Sequence, residues 1–319
     1  MTEAESKPRL LVLVGPTAVG KTNLSLEAAV RYGCEIVSGD SMQVYRGMDI
    51  GTAKASREER AAVPHHMIDI CDPDHLFSVA EFQERVRRLI EDIHRRGRLP
   101  FIVGGTGLYV ESVCYDYKFS DIGIDESYRK ELNDYADRHG EAALHDMLAQ
   151  ADPESARRIH PNDRRRTIRA LEIVRATGSP QSPEATGPKK ESPYELCIVG
   201  LTMDRQILYK RIEARVDLMI EQGLVREVDA LLRRGYTTDL PSMQGLGYKE
   251  IVGYLQGEYD LPFAAELLKR NTRRFAKRQL SWFRRMPDIR WIDVTEPNFS
   301  AHLQTFHDIL AGKFTPDPE

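Results

Sequence analysis

The segment Gly15-Pro16-Thr17-Ala18-Val19-Gly20-Lys21-Thr22 constrains this chain more than any other. It fits the pattern G-x-x-x-x-G-K-[ST]. It lies between an apolar run, Leu10 to Val14, and a stretch of helix formers, Asn23 to Tyr32. A strand that turns through glycines into a helix aims successive backbone N–H groups at one anion, and the helix N-terminus adds partial positive charge. Lys21 supplies a full charge to phosphate oxygens, and the Thr22 hydroxyl is suited to hold Mg²⁺. Further apolar runs at Glu35 to Val37, Met67 to Ile70 and Leu99 to Val103 read as strands. Residues 78–96 have a helical period, with Phe82, Val86, Leu89, Ile90 and Ile93 on one face and a capping box at Ser78 and Glu81. Strand and helix in alternation predict an α/β fold with a parallel sheet flanked by helices.

From about Asp116 the texture changes. Residues 126–176 read as helical throughout, and the Pro-, Gly- and Ser-rich stretch 178–193 as a linker. Glu195 to Leu201 returns to strand character. Helices are expected over 204–234, 246–256, 260–285 and 299–311, with a strand at Ile289 to Val294. The layout is an α/β core from residues 1–120 and 178–319, interrupted by a helical insertion domain at 121–177. Hydrophobic residues at 41% and charged residues at 29% of 319 describe an ordinary globular protein. No apolar run approaches the roughly 18 residues that span a membrane. The polar, acidic N-terminus is not a secretory signal. A cytoplasmic protein without membrane association is expected. Cys34, Cys71, Cys114 and Cys197 stand too far apart in sequence for a metal or redox motif and read as reduced thiols.

A phosphate loop does not by itself establish hydrolysis. The strongest later strand ends in Gly104-Gly105-Thr106-Gly107 rather than in the Mg²⁺-holding acid usual in nucleotide hydrolases, and Asp69 is only a weaker substitute. The loop therefore suits a di- or triphosphate, ATP among them, without the usual means of activating water. Two constellations sit where strand ends line a ligand crevice. In Ser38-Gly39-Asp40-Ser41-Met42-Gln43-Val44-Tyr45, Asp40 reads either as a turn carboxylate or as a group acting beside the phosphate loop. Gln43 has the amide for paired hydrogen bonds to a base edge. In Gly104-Gly105-Thr106-Gly107-Leu108-Tyr109, Thr106 reads either as a helix N-cap or as a hydroxyl presented to a ligand.

The formal net charge of −4 hides an asymmetry. Residues 157–175, with Arg164-Arg165-Arg166 and Arg169, hold seven arginines against two acids. Residues 264–290 hold nine Lys or Arg against two acids. The two segments carry +12 and the rest of the chain −16. Such clustering fits a binder of phosphate backbones, with a solvated, ion-paired helix face as the alternative. Trp282 and Phe283 read as core residues before base-stacking ones.

Taken together, the phosphate loop, Asp40-Ser41-Met42-Gln43-Val44-Tyr45, Gly104 to Tyr109, Gly245-Leu246-Gly247-Tyr248 and Arg273…Lys277-Arg278-Gln279…Trp282-Phe283 resemble the tRNA dimethylallyltransferase family. The resemblance runs in order through nearly the whole chain. It is closest to the bacterial form, which lacks the C-terminal zinc finger of many eukaryotic members. It implies a P-loop kinase-like core with a helical insertion. It also implies transfer of a dimethylallyl group from dimethylallyl diphosphate to the exocyclic amine of the adenosine 3′ of the anticodon, with release of pyrophosphate.

By the same resemblance Gly15 to Thr22 hold the pyrophosphate, with Mg²⁺ at Thr22. Lys21 and Arg215 stabilise the leaving group, Arg211 being the alternative arginine. Asp40 is the general base, and Thr106 orients the substrate. Asp40, Ser41, Met42, Gln43, Thr106, Arg165, Arg166, Thr167, Ile168, Arg169, Met243, Gln244, Gly245, Leu246, Gly247 and Tyr248 correspond to segments that contact the tRNA anticodon stem-loop. Gln244 sits where the family varies, so no specific contact is assigned to it. A monomer is expected. Three rivals remain: a small-molecule or nucleotide kinase using the 164–169 arginines as a lid, a prenyltransferase for free adenine nucleotides, and a non-catalytic RNA-binding module.

Overall fold

Leu10 to Val14 are completely buried, as a strand covered on both faces must be. They belong to the first strand, β1 (Arg9–Val14), in a computed structural model that describes residues 7–119, 122–123, 125–180 and 191–314. The elements that follow are α1 (Lys21–Tyr32), β2 (Cys34–Ser38), α2 (Arg57–Ala62), β3 (His65–His66), α3 (Val79–Arg95), β4 (Leu99–Gly104) and α4 (Gly107–Cys114). After them come α5 (Glu126–Ala151), α6 (Pro153–Arg158), α7 (Arg164–Thr177), β5 (Glu195–Thr202), α8 (Arg205–Gln222) and α9 (Leu224–Arg233). The chain continues through α10 (Tyr248–Leu255), α11 (Leu261–Phe283), β6 (Ile289–Asp293) and α12 (Phe299–Ala311). Most of the expected linker, residues 181–190, lies outside the described residues.

The six strands among the described residues form one parallel sheet in the order β3-β2-β4-β1-β5-β6. Alternate residues of each strand feed opposite faces. Leu11 and Leu13 of β1 join Leu24, Ala28, Leu208, Ile212, Phe306 and Leu310, from α1, α8 and α12. Leu10, Val12 and Val14 join Phe82, Val86, Ile90, Val110 and Val113, from α3 and α4. A third core packs α8 to α11 around Val44, Tyr45 and Met48. The α/β architecture is thus as the sequence implies. Among the described residues no helix is long and apolar enough to cross a membrane.

The chain divides into two compact units, one of Met1–Tyr115 with Glu191–Glu319, the other of Asp116–Lys190. The second is helical, with Leu132, Leu144, Leu148, Ile168 and Leu171 as its core. Four local expectations need correction. Met67 to Ile70 is not a strand: Met67 and Asp69 adopt φ of 62° and 55°, and pairing with β2 occurs earlier, at His65–His66. The helical stretch 126–176 is three helices, bent at Gly140 (φ 86°) and interrupted between α6 and α7. The stretch 204–234 is two helices, divided by Gly223 at φ 107°. At the start of α3 only half of the capping box forms. Ser78 accepts the Glu81 N–H, while the Glu81 carboxylate turns to Arg85 and His75.

Candidate active site

Three loops leave the C-terminal ends of adjacent strands β2, β4 and β1, where parallel α/β sheets bind ligands. The loop after β1 is the phosphate loop. Ala18 adopts φ 64° and Gly20 φ 107°, the left-handed turns that swing backbone N–H groups inward. Lys21 folds along this loop, donating from Nζ to the carbonyls of Gly15 at 2.9 Å and Pro16 at 2.8 Å.

The loop after β2 carries Asp40, whose Oδ1 accepts the Met42 N–H at 2.8 Å. The loop after β4 lies between the other two and carries Thr106. This residue occupies the N-cap position of α4, but its hydroxyl does not cap the helix. It accepts the Ser41 N–H at 3.1 Å and donates to Ser41 Oγ at 3.3 Å, tying itself to the Asp40 loop. The two loops pack so closely that a Cβ on Gly104 would collide with the Gly39 backbone. That contact accounts for a glycine at the end of β4.

Charge converges here. Lys21 and Asp40 stay partly accessible although protein surrounds them densely, which describes the floor of a crevice. Burial, then the neighbouring Arg215 charge, pushes the Lys21 ammonium down to about 7, with Asp40 opposing. Burial pushes the Asp40 carboxyl above its ordinary value, against the pull of the Met42 N–H, Lys21 and Arg215. Arg215, on α8, is lowered by burial, partly offset by Asp40 and reinforced by Arg211. Its guanidinium makes no hydrogen bond or ion pair with a described residue. A secluded guanidinium without a hydrogen-bond partner, next to a lysine of weakened proton affinity, marks a place that favours an anion. One turn earlier on α8, Arg211 Nη2 lies 3.6 Å from where a Cβ on Gly20 would stand, so this second arginine borders the phosphate loop.

The other expected contact residues divide by exposure. Met42 and Gly245 touch, so the Asp40 loop and the 242–248 segment adjoin, and Tyr248 packs on Gly51. Met243 and Tyr248 are completely buried and support these segments from within. Gln43 is already engaged: Oε1 accepts from Ser38 Oγ at 2.8 Å, and Nε2 donates to the carbonyls of Thr52 and Ala53. Gln244 Nε2 donates to the Thr238 carbonyl at 2.5 Å. In the second unit Thr167 and Ile168 are buried, Arg166 pairs with Asp163, and Arg169 pairs with Glu172. Arg165 is exposed and forms no ion pair with a described residue.

On α11, Lys269 pairs with Asp217 and Arg273 with Glu213. Arg270, Arg274, Lys277, Arg278, Arg284 and Arg285 are exposed and form no ion pair with a described residue. Most of this second basic cluster is therefore a free cationic face, and the ion-paired reading fits only its edge. Trp282 is a packing residue. Its indole covers Gly107 and donates to Glu111 at 2.9 Å. Asp69, the weaker candidate for a hydrolase-type metal ligand, is held by Lys54 at 2.6 Å and Arg60 at 2.8 Å.

The sequence profile described as IPP transferase matches residues 43–286. A protein of Heliobacterium modesticaldum named tRNA dimethylallyltransferase is 57% identical over 303 residues, covering 95% of each chain. One of Halalkalibacterium halodurans with the same name is 51% identical, covering 96% of this chain and 98% of the relative. The crystal structure of tRNA isopentenylpyrophosphate transferase from Bacillus halodurans superposes with a TM-score of 0.74 at 51% identity, covering 96% of this chain and 97% of that one. A eukaryotic dimethylallyltransferase acting on tRNA superposes with a TM-score of 0.79 at 29% identity, covering 98% of this chain and 81% of that one. With a profile match over most of its length and relatives above half identity along nearly all of it, the chain belongs to the IPP transferase family.

Proposed function

We propose that this protein transfers the dimethylallyl group of dimethylallyl diphosphate to the exocyclic amine of the adenosine 3′ of the anticodon in tRNA. The observation that carries this reading is the grouping of Asp40 with Lys21 and Arg215 at the mouth of a phosphate loop. An anion cradle with a carboxylate of raised proton affinity beside it suits a reaction in which a diphosphate leaves and an amine loses a proton.

In that reaction the allylic C–O bond breaks and its electron pair departs with pyrophosphate. Lys21, Arg215 and the loop N–H groups stabilise the developing charge. The adenine amine forms the new C–N bond. Its lone pair is delocalised into the ring, so it needs help. Asp40 takes the amine proton as the bond forms. Thr106, fixed through Ser41 to the Asp40 loop, orients the amine. The target base leaves the anticodon-loop stack to reach the crevice.

Mg²⁺ fits as an ion shared with the ligand. The exposed Thr22 offers one hydroxyl, and no cluster of three or more His, Cys, Asp or Glu among the described residues forms a metal cage. When bound, the ion neutralises charge on the diphosphate.

A kinase reading has less support, because Asp69 is consumed by Lys54 and Arg60. Incubation with dimethylallyl diphosphate, Mg²⁺ and undermodified tRNA is expected to yield pyrophosphate and prenylated adenosine. Prenylation of AMP with tRNA left unmodified contradicts the proposal. The free cationic face of α11 supplies the RNA docking surface in this reading. Replacing Arg274 or Lys277 by serine is then expected to flatten the log–log dependence of tRNA affinity on salt by about 0.7–0.9 per charge. Filter binding across a salt series measures this. An unchanged slope removes the side chain from the interface.

Lys21 gives a pH dependence with a definite sign. In the protein alone its ammonium titrates at about 7. A bound diphosphate raises that value, so binding takes up a proton where Lys21 is neutral. Affinity is therefore full below about pH 7 and declines as pH rises through it. Calorimetry in buffers of different ionisation enthalpy is expected to detect proton uptake at pH 8, which Lys21→Met abolishes.

A further inference from the structure

Gln279 lies on the buried side of α11 and is 6% exposed. Its side chain joins two of the three loops that form the site. Oε1 accepts the N–H of Thr17, in the phosphate loop, at 2.9 Å. Nε2 donates to the carbonyl of Gly105, in the Thr106 loop, at 2.8 Å. A primary amide accepts through its oxygen and donates through its nitrogen, so it can serve two such points at once. Gly105 is shaped around it, because a Cβ there would collide with Gln279 Nε2. The contacts form a chain: phosphate loop to Gln279, Gln279 to Gly105, and Thr106 through Ser41 to the Asp40 loop.

We propose that Gln279 is a positioning residue that fixes the phosphate loop relative to the loop bearing Thr106, and so sets the distance between the diphosphate and the Asp40 base. It touches no reacting atom. The inference rests on the site reading given above, and it adds a named support on a helix remote in sequence from every loop it holds. The helix that carries the basic face outward carries this clamp inward. Misplacement of reacting groups by a fraction of an ångström is costly for a bimolecular transfer, which is why such a support matters to rate and not only to stability.

The experiment uses four variants of the full chain, three single and one double, with steady-state kinetics in dimethylallyl diphosphate and tRNA. Gln279→Leu keeps the volume and removes both hydrogen bonds. The expected result is a KM for dimethylallyl diphosphate raised roughly tenfold together with a lowered kcat, with the tRNA dissociation constant unchanged within error. A loss of folded protein lowers kcat alone and leaves that KM unaltered, so the two outcomes are distinct. Gly105→Ala pushes the amide away by another route and is expected to reproduce the defect. The double variant should then be no worse than either single one, because both break the same bridge.

Gln279→Glu supplies the second readout. A protonated carboxyl can accept from Thr17 and donate to Gly105, whereas a carboxylate meets the Gly105 carbonyl with like polarity. The ratio of its activity to that of the unaltered protein is therefore expected to rise as pH falls. An unchanged diphosphate KM in Gln279→Leu, additive effects of Gly105→Ala and Gln279→Leu, or a pH-independent ratio for Gln279→Glu each overturns the proposal. If the unaltered chain transfers no prenyl group at all, the site reading itself has failed, and that failure is seen before any variant is made.

Discussion

Asp40→Asn is expected to lower the prenyl-transfer rate about 10²- to 10⁴-fold, the range associated with losing a positioned general base. The substitution keeps the shape and retains an oxygen for the Met42 N–H, which Asp40 Oδ1 accepts at 2.8 Å. What disappears is the ability to take the amine proton. Affinity for tRNA should stay within about twofold, since phosphate contacts made elsewhere dominate it. Filter binding and single-turnover prenylation on the same preparation separate the two effects. Near-normal turnover of the variant removes Asp40 as the base. The unaltered protein gives a matching pH signature. Burial lifts the Asp40 carboxyl above its usual value, so the single-turnover rate should fall as pH drops through that raised value and hold above it.

Arg215→Gln is the second large effect. A group placed to stabilise charge on a leaving group is worth about 10²–10³ in rate when it acts in a secluded site. Arg215 has the properties that make the loss large: protein surrounds it densely, and its guanidinium makes no hydrogen bond or ion pair with a described residue. Both kcat and kcat/KM should fall together, as they do when an interaction of the transition state is removed. A second consequence comes from the same geometry. After burial, the Arg215 charge is the larger influence holding Lys21 down to about 7. Without it the Lys21 ammonium titrates at higher pH, so the pH at which diphosphate binding weakens moves upward. Calorimetric titration across pH 6 to 9 is expected to show that displacement. A variant with normal rate and an unmoved binding profile excludes Arg215 from the anion site. In that case Arg211, which borders Gly20, is the arginine to examine.

The parts of this site that are local in sequence are legible without a structure. The phosphate loop is one motif with its strand and helix attached, and Asp40 and Thr106 each follow a run that reads as a strand, a short one at Glu35 to Val37 and a stronger one at Leu99 to Val103. Strand ends of a parallel sheet converge on one edge, so these three loops had to meet. The basic segments are visible from charge alone. The sequence does not tell which charges are spent: Lys269 and Arg273 are paired with acids on α8, whereas Arg274 and Lys277 are not.

Other features depend on contacts that no local pattern encodes. Gln279 meets Thr17 across 262 residues of chain, and its surroundings of arginine and lysine draw the eye to charge rather than to a buried amide. Gln43 looks available for a base edge, yet its amide is held by Ser38 and by the Thr52 and Ala53 carbonyls. Met67 to Ile70 has the composition of a strand. The chain bends through positive φ at Met67 and Asp69 instead, because Asp69 turns its carboxylate to Lys54 and Arg60. The break at Gly223 was visible as a glycine but not as a break, since helices often tolerate one.

The central claim is that one crevice joins a leaving diphosphate to an adenosine amine in tRNA. The most direct test is nuclease digestion and mass spectrometry of undermodified tRNA after incubation with the protein, dimethylallyl diphosphate and Mg²⁺. The account predicts a dimethylallyl group on the exocyclic nitrogen of the adenosine 3′ of the anticodon, with one pyrophosphate released per group transferred. Prenylation confined to free nucleotides, or phosphate transfer from ATP in place of prenyl transfer, would contradict it.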